Sequence, residues 1–109
     1  MTTTVEQIVA PVALTATLTT TLLSAIAAST KYIVKEILLC NTDTVARTVT
    51  IYIGSATGAA NTILSAVSLA AGETKFISLS TVLITGDAIK GGASSAGVVS
   101  CTISGVKVV

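Results

Sequence analysis

Histidine and tryptophan are absent from this chain, proline occurs once, and the aromatic residues are two Tyr and one Phe. Without histidine the commonest general acid and base near neutral pH is missing. Three aromatics are too few for a platform on which nucleic-acid bases stack, or for a sugar-binding groove. Charge is scarce as well: Asp, Glu, Lys and Arg make up 10% of the residues, against about 25% in an ordinary soluble domain. The net charge is +1, so no basic field exists to draw in nucleic acid.

The few acids are widely separated. Asp43 and Asp87 sit in turn sequences, Glu73 follows Gly72 in "AAGET", and Glu6 stands near the start. Glu36 lies inside an apolar stretch, where an exposed or interface ion pair with a Lys is expected. The two cysteines, Cys40 and Cys101, are far apart and form no CxxC pattern, so they read as buried thiols packing as small hydrophobes. A disulfide between them requires the strands that carry them to be neighbours. "KGGASSAG" lacks the spacing of a phosphate-binding loop and reads as a hairpin turn.

Between Glu6 and Lys31 lie 24 residues without charge, long enough to span a bilayer. Thr15, Thr17, Thr19, Thr20, Thr21 and Ser24 interrupt the apolar residues, Pro11 stands near the beginning, and "VALTATLT" alternates with period two. That pattern belongs to a half-buried strand and not to a membrane helix. "MTTTVEQ" lacks the basic region of a secretory signal.

What the chain has in plenty is Thr, together with Ser, Val, Ile and Ala. Thr, Val and Ile are β-branched and favour strands. Residues 1–11 read as an N-terminal arm, and residues 12–109 as one β-sandwich domain. The first strand is predicted over Val12–Thr19 and a short second one over Thr21–Ile26. "KYIVKEILLCN" is apolar on both faces, with Ile33, Ile37 and Leu39 against Tyr32, Val34, Leu38 and Cys40, as in a strand covered on both sides. "RTVTIYIG" alternates cleanly, with Val49, Ile51 and Ile53 inward. The short link between these two predicts a hairpin. "TILSAVSL" sets Ile63, Val67 and Leu69 against Leu64 and Ala66. "KFISLS", a strand from Ala88 and "VVSCTISGVKVV" complete the set, with Gly105 expected to mark a bulge that shifts the alternation. Seven to eight short strands with turn signals every 8–12 residues predict an all-β fold, an antiparallel β-sandwich of jelly-roll type.

The segments "STKYIVKEILLCNTDTVARTVTIYIG", "LSAVSLAAGETKFISL" and "GDAIKGGASSAGVVSCTISGVKV" together resemble small structural proteins of tailed bacteriophage virions, over most of the chain from about Thr15 onward. The resemblance implies a non-enzymatic virion protein, foremost a capsid decoration (cement) protein bridging major capsid subunits. A tail, connector or fibre-base component and a receptor- or carbohydrate-binding fibre module are the alternatives. It implies no catalytic, cofactor-binding or metal-binding residue and no cofactor. The implied partners are the major capsid protein or other virion proteins and further copies of the chain, a trimer foremost, with no direct nucleic acid and no membrane. The implied location is the virion, assembled in the host cytoplasm. The charge deficit fits this picture, because interface cores are depleted in charged residues.

Overall fold

Inward-facing aliphatic residues at alternate positions dictate two sheets packed face to face. The computed structural model describes residues 2–109. Its strands are β1 (Thr3–Ala13), β2 (Thr21–Leu23), β3 (Lys31–Asn41), β4 (Arg47–Gly54), β5 (Thr62–Leu69), β6 (Thr74–Leu83), β7 (Ala88–Ala93) and β8 (Val99–Val108), with one 3-10 turn at Ala59–Asn61. One sheet has the order β1-β8-β3-β6 and the other β2-β7-β4-β5. Thus β1 lies beside β8, β2 beside β7, β3 beside β6 and β4 beside β5, all antiparallel. A long ribbon of four strand pairs has been rolled so that β3 also meets β8 and β4 meets β7. This is the eight-stranded jelly roll that the strand count and turn spacing predict.

The core between the sheets is aliphatic. Ile37, Leu39, Leu83 and Ile103 of the first sheet, and Val49, Ile51, Leu69 and Ile89 of the second, have no measurable exposure. Each such side chain contributes about 1.5–3 kcal/mol on burial. Leu14, in the crossing from β1 to β2, closes one end of this core, and its N–H donates to the Val99 carbonyl at 2.8 Å.

Four expectations are corrected. The residues read as an arm carry the first strand, which pairs with β8 from Thr3↔Val108 to Ala13↔Ser100. Pro11 is accommodated because β1 is an edge strand whose register is already broken between Val9 and Val12; an edge does not need the missing N–H. Only the beginning of the Val12–Thr19 segment is strand. The rest is a crossing tied to its neighbours by main-chain bonds from Ala93 N–H to Thr15 O and from Gly91 N–H to Thr20 O. Its threonines knit locally instead: the Thr15 and Thr20 hydroxyls are 2.6 Å apart, and the Thr20 hydroxyl donates to Thr17 O at 2.9 Å.

Second, β3 and β4 do not form a hairpin. They lie in opposite sheets, and residues 42–46 carry the chain across the sandwich. Both are interior strands, which is why both are dense in apolar residues.

Third, alternation in β5 is reset. Ala66 has φ 47°, and the β4–β5 register jumps from Val49↔Val67 to Ile51↔Leu64. The extra residue turns both Leu64 and Leu69 inward and leaves Ile63 exposed. Thr50, itself buried, accepts the Ala66 N–H on its hydroxyl at 3.1 Å.

Fourth, Gly105 does not shift the alternation of β8, which stays regular from Val99 through Gly105. The break is across from it, in β3, where Val34↔Gly105 is followed by Glu36↔Ser104 and Lys35 has no partner. Glycine is required there by space: a Cβ on Gly105 would collide with the Ile33 carbonyl oxygen and come within 2.8 Å of the Ile8 side chain.

Candidate assembly surfaces

The polar side chains serve the fold. Asn41, at the end of β3, is fully buried. Its amide donates to the carbonyls of Val45 (2.9 Å), Leu69 (3.2 Å) and Ala70 (3.1 Å), and its side-chain oxygen accepts the Asp43 N–H at 3.0 Å. Its main-chain N–H donates to Glu73 O, and both the N–H and the hydroxyl of the next residue, Thr42, donate to Val98 O. Three loops at one end of the roll are held through these two residues.

Asp43 accepts from the Arg47 guanidinium at 2.6 and 2.8 Å and from the Thr44 N–H at 2.7 Å. The hydrogen bond from Arg47 holds its carboxyl below the usual value of 3.8, with the Thr44 N–H adding to the effect. Glu73 accepts the Ala70 N–H and Asp87 the Ile84 N–H, so these three acids are turn residues, as their sequence positions suggest. Glu36 makes no ion pair within the chain: among the described residues Arg47–Asp43 is the only salt bridge.

Cys40 and Cys101 lie on adjacent strands, but they point to opposite faces of the sheet and both are free. Burial pushes the Cys101 thiol up to about 12. Among the described residues no group of His, Cys, Asp and Glu is placed to hold a metal ion, and no helix is long and apolar enough to cross a membrane.

The feature without an internal role is the outer face of the β1-β8-β3-β6 sheet. Register places Val5, Val106, Ile33 and Val82 in one row across its four strands. A second row joins Thr102, Leu38 and Phe76. Between them lies a polar row of Gln7, Ser104, Glu36 and Ser78. Val5 is 84% exposed, Phe76 65% and Val82 56%. Large apolar side chains left outside in rows on one face mark an interaction surface more often than scattered ones do. Period-two patterning in the sequence carries this signal: Phe76 and Val82 occupy the positions opposite the inward-facing residues of β6.

No protein-family model matches the chain, and no curated protein matches it. Solved structures do. A chain of the T13 infectious bursal disease virus particle superposes with a TM-score of 0.58 at 13% identity, covering 97% of this chain and 30% of that one. A chain of the infectious bursal disease virus Gx strain gives 0.54 at 17% identity, covering 97% and 32%. The present chain therefore spans about a third of the length of each of these proteins. At this identity the likeness is one of fold: the chain is a jelly-roll β-sandwich of the kind found within virus particles.

Proposed function

We propose that this protein is a structural component of a virion that acts by burying surface against neighbouring subunits. The observation that carries the reading is the pair of apolar rows on the outer face of a jelly roll otherwise poor in charge. Superposition on chains from virus particles supports it. More specifically, we place it on the head of a tailed bacteriophage as a decoration protein bridging major capsid subunits, with further copies of the chain among its neighbours. Each joint would gain about 25 cal/mol per Å² of apolar area removed from water. A protein that binds only the assembled shell stabilises it by mass action, and many weak joints act together. No step requires a catalytic residue or a cofactor.

Quantitative mass spectrometry of purified particles tests this reading. On the order of hundreds of copies per particle, released when heads are separated from tails and dissociated, supports the decoration role. A few copies, or about a dozen, moves the protein to a connector or fibre, and many tens in stacked rings to the tail. Absence from purified particles removes the virion reading altogether.

A further inference from the structure

A sandwich of two open sheets has four edge strands, each with a row of main-chain N–H and C=O groups that a further strand can pair with. Three of these edges are blunted. β1 carries Pro11, Glu6 and two breaks of register. β2 has three residues. β5 is interrupted at Ala66 with φ 47°. The fourth, β6, is ten residues long, has no proline and alternates in exposure from Thr74 to Val82, while its register with β3 shifts once, between Thr81 and Ser78. Its one charge, Lys75, is turned toward the other sheet and donates to Ser68 O at 3.2 Å. Among the described residues its outer main-chain edge has no partner.

We infer that β6 pairs with β6 of a second copy of this chain, antiparallel about a twofold axis through Leu79, so that the two four-stranded sheets become one of eight strands. The strand is self-complementary in this register. On the exposed face, Phe76 stands opposite Val82 of the second copy and Ser78 opposite its Ser80, because the outward series reads apolar, Ser, Ser, apolar about Leu79. On the inner face, Leu79 meets its own equivalent and Ile77 meets Thr81. Directly opposed side chains in an antiparallel pair lie about 5 Å apart, so the two exposed large apolar side chains of the strand, Phe76 and Val82, cover each other. A paired stretch of this length exchanges about eight to ten main-chain hydrogen bonds, the number that a standard protein interface carries. The apolar rows of the outer face then continue from one copy into the next.

The inference does not depend on the virion reading, and its test uses the chain alone. Light scattering during size exclusion, over a concentration series, gives the mass. The expected result is twice the 10.8 kDa of one chain. Ser78→Lys combined with Ser80→Lys sets like charges opposite each other twice and is expected to weaken dimerisation at least tenfold. Ser78→Lys combined with Ser80→Glu sets opposite charges there and is expected to restore the dimer. Ser78 and Ser80 are exposed positions of a folded strand, the Ser80 hydroxyl accepting from Lys35 Nζ at 3.2 Å, and circular dichroism checks that each variant retains its sheet. Phe76→Thr serves as a second weakening variant that adds no charge. The inference is overturned by a wild-type mass other than that of a dimer, by a Lys/Lys variant that dimerises like the wild type, or by a Lys/Glu variant that fails to recover. A dimer found for a protein absent from virions retains this inference and removes the functional one. A monomer found abundantly in virions does the reverse.

Discussion

The Asn41 amide nitrogen lies 3.2 Å from the Leu69 carbonyl oxygen, joining the last residue of β3 in one sheet to the last residue of β5 in the other. This contact between sheets is made by a polar group in a fully buried position. Replacing Asn41 with Leu removes the donors and leaves the Val45, Leu69 and Ala70 carbonyls without this partner. Each abandoned buried acceptor costs about 1–3 kcal/mol. We expect Asn41→Leu to lower stability by about 3–4 kcal/mol, measured by urea unfolding, and Asn41→Asp, which keeps the shape but loses the donors, to be similarly harmful.

Gly105→Ala drives a methyl group into the Ile33 carbonyl. Neither backbone can yield without disturbing the Lys35 irregularity between them. The expected loss is about 3 kcal/mol or more, among the larger effects of single substitutions. Gly58→Ala, where nothing lies within 4 Å of the new atom, serves as the neutral control in the same assay.

The β5 bulge makes a paired prediction. Thr50→Val removes the acceptor of the Ala66 N–H and should cost about 1–2 kcal/mol. Ala66→Gly relieves a positive φ and should be neutral or stabilising by up to about 1 kcal/mol. Because both act on one local structure, the double variant should depart from additivity in a double-mutant cycle.

Little of this internal bracing could be read from residue patterns. Alternation identifies strands reliably where it is unbroken: Val49, Ile51 and Ile53 face the core as expected, and Val99, Cys101 and Ile103 do the same. It fails where one inserted residue reverses the parity, at Ala66 and at Lys35, because a bulge depends on the partner strand and not on local propensity. Likewise the link from Asn41 to Arg47 has the length of a hairpin turn; that it crosses between sheets follows from β6 and β8 occupying both flanks of β3. Pro11 signals an edge, and the edge strand proves to run through it instead of starting after it. The outer apolar rows are only half legible in the sequence: period two puts Phe76 and Val82 on one face of β6, but aligning Phe76 with Leu38 and Val82 with Ile33 requires the register.

Thiol chemistry separates the two cysteines. In native protein at pH 8, iodoacetamide should modify Cys40, which is partly exposed, and spare the buried Cys101; mass spectrometry then shows one adduct, and two after denaturation. The Cys101 thiol ionises at its ordinary value of 9.0 when unfolded and at about 12 when folded. Above pH 9 the unfolded state therefore holds fewer protons, and stability falls as the pH rises toward 12. The slope from this group is at most about 1.4 kcal/mol per pH unit, and Cys101→Val should abolish it.

Asp43 behaves in the opposite sense. Its folded value is depressed below 3.8, so the stabilisation it contributes is present above that pH and is lost as the pH falls through the lower folded value. The difference in melting temperature between wild type and Arg47→Ala should be small at pH 7, because the pair is partly exposed. It should vanish under more acid conditions.

The position of β8 has a consequence for biosynthesis. The last strand of the jelly roll, β8, occupies the interior of its sheet, between β1 and β3. While the ribosome is still translating it, β1 and β3 have no common neighbour, and two apolar strands wait with open ladders. Sheet closure thus waits for β8 and is governed by contacts distant in sequence, which makes it slow. During that interval the nascent chain is most exposed to capture by chaperones or to aggregation.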